Sequence, residues 1–141
     1  MLKGHTKIEL TNVHTGEKEV VEKHNLITSH LSILANLYRR FTGDYTMRAK
    51  IGPLYDNAMG GIILLSESVE ENISNYALNI SSMDILTGYA SNDVNASSDK
   101  KRGSKNLTES KLLDNGYQYV WDFGTSQGNG SISVVCLTDA E

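Results

Sequence analysis

The sequence predicts a mainly β protein of the α+β kind, an antiparallel sandwich or jelly-roll-like domain with an N-terminal hairpin and one amphipathic helix. Period-two alternation of β-branched and aromatic residues recurs, most clearly in YVWDFGTSQGNGSISVVCLT at 119–138. Convincing helical periodicity is confined to a single segment. The 141 residues are enough for one domain with a core, so we predict a single domain over residues 1–141.

Residues 1–24 are predicted to form a terminal hairpin. Ile8 and Leu10 alternate with polar neighbours, and Gly16 supplies a turn before the return strand. The outer positions carry many charges, so the hairpin buries little surface of its own and is marginal alone. We therefore expect it to lean on the rest of the chain or on a neighbouring subunit.

Residues 25–42 are predicted to form the helix, with Asn25 as its N-cap and Gly43 at its end. Apolar side chains recur at steps of four and three residues, as one face of a helix requires. This stripe is either core packed on a sheet or a heptad-like seam at an oligomer axis. It is the candidate oligomer and attachment surface, and its members are Ile27, Leu31, Leu34, Tyr38 and Phe41.

The remaining residues, 43–141, are predicted to be a β-rich body. The four successive apolar residues at 62–65 indicate a strand buried on both faces. The polar stretch at 91–106 is predicted to be the longest exposed loop. Its basic side chains are interpreted as a solvated loop, with a phosphate or partner contact as the alternative; they are Lys100, Lys101, Arg102 and Lys105.

The segment GTSQGNG at 124–130 raises the question of a catalytic loop. Strand-like alternation lies on both sides, so the segment is predicted to connect the two strands of an antiparallel hairpin. Its glycines, Gly124, Gly128 and Gly130, would supply positive φ. A nucleophile elbow or a phosphate-binding loop requires a helix afterwards, and a strand follows here.

Four aromatic residues precede this loop at every second position and would share one face of the strand. They are Tyr117, Tyr119, Trp121 and Phe123. Such a row is either core or a platform that stacks sugars or bases. The candidate glycan contacts are Tyr117, Tyr119 and Trp121.

Composition argues against several classes of protein. The net charge is −4 without a dense basic field, so no nucleic-acid partner is expected. The single cysteine, Cys136, cannot form an intrachain disulfide. There is no signal-like or membrane-spanning apolar run, so we expect neither secretion nor a membrane, and folding in a reducing cytosol.

No catalytic or metal motif stands out, so we expect no enzyme and no cofactor. The carboxylates are scattered, with no pair at a defined separation. His24 and His30 leave a zinc site open as an alternative across the hairpin-to-helix turn. The oxygen-bearing side chains that recur from Asp93 to Asp99 leave an irregular calcium site open, although this stretch lacks the glycine and glutamate of an EF-hand loop.

Three blocks of sequence carry a family resemblance. They are KIELTNVHTGEKEVVEKHNLIT, MGGIILL, and KRGSKN through YVWDFGTSQGNGSISVVCLT. Together they resemble the N-terminal region of tail-fibre or baseplate-type structural proteins of tailed phages and prophages of Gram-positive bacteria. The resemblance implies a virion protein of the phage tail, assembled in the host cytoplasm, homo-oligomeric and often trimeric, that contacts other tail or baseplate proteins.

The expected function is therefore a non-enzymatic structural component of a tail tip, baseplate or tail fibre, mediating assembly and attachment and supporting host receptor recognition. The chain stops at Glu141 just after a strand, so it is expected to be a fragment or a short relative without the distal receptor-binding part. The alternative is a carbohydrate-binding module for host cell-wall glycans. An enzyme acting on the host wall is the third reading, which the scattered carboxylates disfavour.

Overall fold

The structure, a computed structural model, describes residues 3–29, 31–32, 60–74, 82–94, 98–114 and 116–138. The backbone divides into two compact units. Unit 1 comprises Met1–Tyr55 and Glu70–Asn79, and unit 2 comprises Asp56–Val69 and Ile80–Glu141. The single domain predicted over residues 1–141 stays a prediction.

Unit 1 begins with the predicted hairpin, which is confirmed. β1 (Gly4–Thr11) pairs antiparallel with β2 (Lys18–Asn25) over all eight residues of each strand. Asn12 holds the turn, because its Oδ1 accepts the His14 N–H at 2.9 Å and its carbonyl accepts the Gly16 N–H at 2.8 Å. Gly16 has a φ of +74°, which a residue with a side chain rarely adopts.

The predicted helix does not begin at Asn25, which is the last residue of β2. Strand pairing continues to that residue because the register places it opposite Gly4. A helical turn begins later, at Thr28, whose carbonyl accepts the Ser32 N–H at 3.1 Å. Residues 30 and 33–59 lie outside the described residues, and within those that are described no helix reaches seven residues.

Unit 2 is built on a three-stranded antiparallel sheet with the order β4–β3–β9. The strands are β3 (Gly61–Leu65), β4 (Leu86–Ser91) and β9 (Val134–Thr138). β3 is central, as its apolar run predicts, and Leu64 and Leu65 are buried together with Ala90 of β4. The core of the described part of unit 2 therefore lies on this sheet.

The pairing of β3 with β4 contains a bulge. The register shifts between Leu64 and Leu65, which leaves Thr87 as the extra residue on β4. Thr87 is buried, and its hydroxyl donates to the carbonyl of Ser131 at 2.7 Å. The irregularity in β4 thus attaches the segment that leads into β9.

Two short antiparallel ribbons also belong to unit 2. β5 (Ser104–Lys105) pairs with β8 (Trp121–Asp122), and β6 (Lys111–Leu113) pairs with β7 (Gly116–Gln118). A 3-10 helix, Met83–Ile85, precedes β4. The stretch 91–106 is therefore not one long loop, because its later residues belong to β5.

The predicted hairpin across GTSQGNG is wrong. β8 pairs with β5 and β9 pairs with β3, so the segments on either side of the loop enter different sheets. Period-two alternation identifies an extended strand but does not say which strand lies beside it. Within the loop, φ is positive at Gly128 (+62°) and Gly130 (+146°) but not at Gly124, whose N–H donates to Gln127 Oε1 at 3.0 Å.

The loop packs around Phe123 instead. A Cβ placed at Gly128 would lie 2.7 Å from the Phe123 ring, one at Gly103 would lie 2.9 Å away, and one at Gly88 would lie 3.0 Å away. Real Cβ atoms essentially never approach within 3.0 Å of another heavy atom. The ring therefore occupies a niche, called the glycine niche below, which is formed by Gly88, Gly103 and Gly128.

The described residues are thus mainly β with antiparallel sheets, as the sequence predicts. A closed sandwich does not occur among the residues that the structure describes. Their strands form one three-stranded sheet and three two-stranded sheets.

Substituting Gly128 by Ala should lower the free energy of unfolding by about 1–3 kcal/mol, because the new methyl group meets the Phe123 ring at a φ that disfavours side chains. Gly116→Ala is the matched control. A Cβ at Gly116 has open space around it, so stability should stay the same or rise by up to about 1 kcal/mol. Urea unfolding followed by the fluorescence of the single tryptophan, Trp121, measures the free energy of unfolding of both variants. Equal changes in the two variants would contradict the close packing of Phe123 on Gly128.

Candidate binding site: an aromatic ladder

Three aromatic side chains form a ladder in unit 2, and they are the predicted glycan contacts. The ring centroids of Tyr117 and Tyr119 lie 4.4 Å apart with the planes tilted by 42°. The rings of Tyr119 and Trp121 stack at 5.7 Å with an interplanar angle of 11°. The structure therefore brings the three rings together, as their spacing predicts, whereas Phe123 packs in the glycine niche.

Backbone and side-chain hydrogen bonds hold the strand that carries the ladder. The Trp121 indole N–H donates to the Ser91 carbonyl at 3.1 Å. The Val120 N–H donates to Ser110 Oγ at 2.9 Å, and the Val120 carbonyl accepts the Asn106 N–H at 2.9 Å. The ladder is thus anchored to β4 and to the segment that follows β5.

A cation accompanies the ladder. Lys105 is directly opposite Trp121 in the β5–β8 ribbon. Its Nζ lies 5.3 Å from the centroid of the Tyr119 ring, within the range of a cation–π interaction. Because no local spacing in the sequence relates Lys105 to Tyr119, the interpretation of Lys105 as part of a solvated loop missed this contact.

The exposure of the ladder determines what it offers a ligand. Tyr117 is 47% exposed, while Tyr119 and Trp121 are half-buried. The Tyr117 ring is therefore the most exposed ring of the ladder. The polar group that the structure places near a ring is the Lys105 ammonium. Apolar rings with a few fixed polar groups are typical of sites for small ligands.

The two aspartates around which the sequence leaves an irregular calcium site open both accept hydrogen bonds from protein groups. Asp93 Oδ2 accepts from the Arg102 guanidinium at 2.9 Å, and Asp93 Oδ1 accepts from the Ser91 hydroxyl at 2.7 Å. Asp99 Oδ2 accepts from the Tyr89 hydroxyl at 2.8 Å. Both carboxylates therefore bind side chains of β4, and residues 95–97 between them lie outside the described residues.

The histidine pair that leaves a zinc site open as an alternative is only partly described, because His30 lies outside the described residues. His24 faces His5 across the hairpin, with ring centroids 5.6 Å apart. His5 Nε2 lies 3.7 Å from the Glu22 carboxylate. In the described ranges, no group of three or more His, Cys, Asp or Glu residues is placed to hold a metal ion.

The predicted apolar stripe is also described only in part. Ile27 and Leu31 are half-buried, and a Cβ at Gly4 would lie 2.9 Å from Ile27 Cδ1, so Ile27 packs on the start of β1. The Leu31 N–H donates to Thr28 Oγ1 at 3.4 Å. The other members, Leu34, Tyr38 and Phe41, lie outside the described residues.

The chain was compared with known proteins, and no protein-family model, curated protein or solved structure matches it. Among the residues whose structure is described, no helix is long and apolar enough to cross a membrane.

Replacing Tyr89 by Phe should raise the pKa of Asp99. The Lys101 backbone N–H and then the Tyr89 hydroxyl hold the pKa of this carboxyl below its usual value. The Tyr89→Phe variant keeps the Lys101 hydrogen bond and loses the Tyr89 hydrogen bond, so the Asp99 pKa should rise only part of the way to its usual value. Because these contacts lower the Asp99 pKa in the folded state, they stabilise the fold at pH values above the unfolded-state pKa. This stabilisation is lost as the pH falls through the folded-state pKa.

Carboxyl-carbon NMR titration of Asp99 provides the measurement. Tyr117→Phe is the control: it removes the hydroxyl of an exposed ladder tyrosine and should leave the Asp99 pKa unchanged. An Asp99 pKa that is equal in the wild type and in Tyr89→Phe would show that the Tyr89 hydrogen bond does not act on the carboxylate.

Proposed function

We propose that this chain is a non-enzymatic structural subunit of a phage tail, in the tail tip, baseplate or tail fibre, that mediates subunit assembly and attachment. The proposal includes homo-oligomers, trimers in the first instance, contacts with other tail or baseplate proteins, and assembly in the host cytoplasm. Nucleic acid and membrane have no part in it. The sandwich or jelly-roll expected from the sequence belongs to the same proposal.

The observation that carries the proposal is that the N-terminal hairpin exposes apolar side chains and has no third strand beside it among the described residues. There, β1 and β2 pair only with each other. Leu10 and Val20 are 42% and 51% exposed, and Val13 in the turn is exposed as well. A two-stranded hairpin is marginally stable in water unless it packs on something else, so a partner that covers it would stabilise it. The three blocks of resemblance support the tail as the place of assembly.

The first test is the location of the protein in phage particles. Gold-labelled antibodies against this chain should mark one end of the tail in particles from the bacterium that encodes it. The same antibodies absorbed with purified protein are the control and should leave the particles unlabelled. Label on the capsid, or absence of the protein from purified particles, would contradict the proposal.

The second test is mass in solution, measured by light scattering behind a sizing column. The wild type should form an oligomer, with a trimer expected, and removal of residues 1–24 should give a monomer because the hairpin is lost. An unchanged oligomer after the removal would show that the hairpin is not the assembly surface. A monomeric wild type at every concentration would overturn homo-oligomeric assembly.

The second candidate function is recognition of host cell-wall glycans by the aromatic ladder. The exposed Tyr117 ring and the neighbouring Lys105 favour it, since sugars stack on aromatic surfaces and take hydrogen bonds from nearby polar groups. This ladder would support receptor recognition within the tail or act as a separate binding module.

On a glycan array, Tyr117→Ala should lose about tenfold in affinity for any wall glycan that the wild type binds, as expected for one aromatic contact. Leu137→Ala, which removes an exposed apolar side chain from β9 in the same unit, should bind like the wild type. Equal binding by the wild type and Tyr117→Ala, or no binding by the wild type, would contradict glycan recognition by the ladder.

A further inference from the structure

The outer edge of β1 has a hydrogen-bonding pattern that follows from the turn. The Asn12 N–H donates to the Glu17 carbonyl at 2.8 Å, in the same register as the strand pairs. Opposite pairs in an antiparallel ladder alternate between bonded and non-bonded, so the bonded residues of β1 are the even-numbered ones. The N–H and C=O groups that point away from β2 are therefore those of His5, Lys7, Glu9 and Thr11.

This edge is complementary to itself. If β1 of a second copy pairs antiparallel about Ile8, odd-numbered residues face odd-numbered residues, which is what the outward hydrogen bonds require. Lys7 then lies opposite Glu9 of the other copy, and Glu9 lies opposite Lys7. A register two residues away in either direction places Lys7 opposite Lys7 or Glu9 opposite Glu9, and directly opposed like charges are destabilising.

The same register joins the apolar positions. Even-numbered side chains of β1 lie on the half-buried face of the hairpin, which includes Ile8 and its cross-strand neighbour Val21. Pairing about Ile8 places the two copies of Ile8 side by side and Leu10 against Thr6. The apolar strip of one hairpin would thus continue into the other.

We propose that β1 pairs with β1 of a second copy of this chain, antiparallel about Ile8, to form a four-stranded sheet with the order β2–β1–β1–β2. This inference rests on the proposed assembly function and specifies its contact. The contact is isologous and closes in pairs, so it yields an even number of subunits in place of the trimer that the resemblance implies. It adds about eight backbone hydrogen bonds, two for each of four bonded pairs.

The β2 edge is the natural comparison. Its outward groups belong to even-numbered residues, and a twofold register about Val20 places Lys18 opposite Glu22 with the two copies of Val20 at the axis. This register has three bonded pairs, whereas the β1 register about Ile8 has four, so the longer pairing favours β1. Charge reversals at Lys18 and Glu22 therefore serve as matched controls for reversals at Lys7 and Glu9.

The test uses full-length chains and sedimentation equilibrium. Lys7→Glu and Glu9→Lys should each weaken self-association on the order of tenfold, because each places two like-charged pairs across the axis. An equimolar mixture of the two variants should associate as tightly as the wild type, since all facing charges are then opposite. Recovery in the mixture also shows that the variant hairpins remain folded. Lys18→Glu and Glu22→Lys should self-associate like the wild type.

Each other outcome overturns the inference in a distinguishable way. Oligomers that are unaffected by reversals at Lys7 and Glu9, including a trimer, would exclude the β1 contact and leave the proposed assembly function intact. Loss of association only in Lys18→Glu and Glu22→Lys would assign the contact to β2. A wild type that stays monomeric would overturn both the β1 contact and homo-oligomeric assembly.

Discussion

The packing of Phe123 is the interaction on which the described part of unit 2 depends. Three glycines from β4, from the residue before β5 and from the loop after β8 approach one ring so closely that a Cβ would meet it at 3.0, 2.9 and 2.7 Å, respectively. The ring therefore holds together segments that are distant in the chain. The loop GTSQGNG is exposed at most of its positions, Gly128 leaves space for the ring, and Gly128 and Gly130 allow the positive φ of the backbone path.

The strands next to Phe123 enter different sheets. β8 pairs with β5, and the chain after Gly130 continues into β9, which pairs with β3. Trp121 is opposite Lys105, and the three ladder rings follow the same extended backbone. The candidate binding site and the glycine niche therefore share one continuous segment, with Trp121 and Phe123 two residues apart.

The two candidate surfaces differ in chemistry and lie in different units. The hairpin of unit 1 offers backbone hydrogen-bonding groups and charges of alternating sign, which suit another protein strand. The ladder of unit 2 offers aromatic rings with a nearby cation, which suit a sugar or another small polar ligand. A tail protein that assembles through one unit and meets the host through the other would use both.

The sequence by itself determined the features that depend on neighbours along the chain. The turn around Gly16, the strands of alternating residues, the central apolar run at 62–65 and the side shared by Tyr117, Tyr119 and Trp121 all follow from local periodicity and turn chemistry. Only the tertiary structure decided that β9 pairs with β3, that Asn25 extends β2, that Phe123 leaves the aromatic row and that Lys105 meets Tyr119. The physical reason is that strand partners and ring contacts depend on long-range packing and hydrogen bonds, which a period of two residues does not encode.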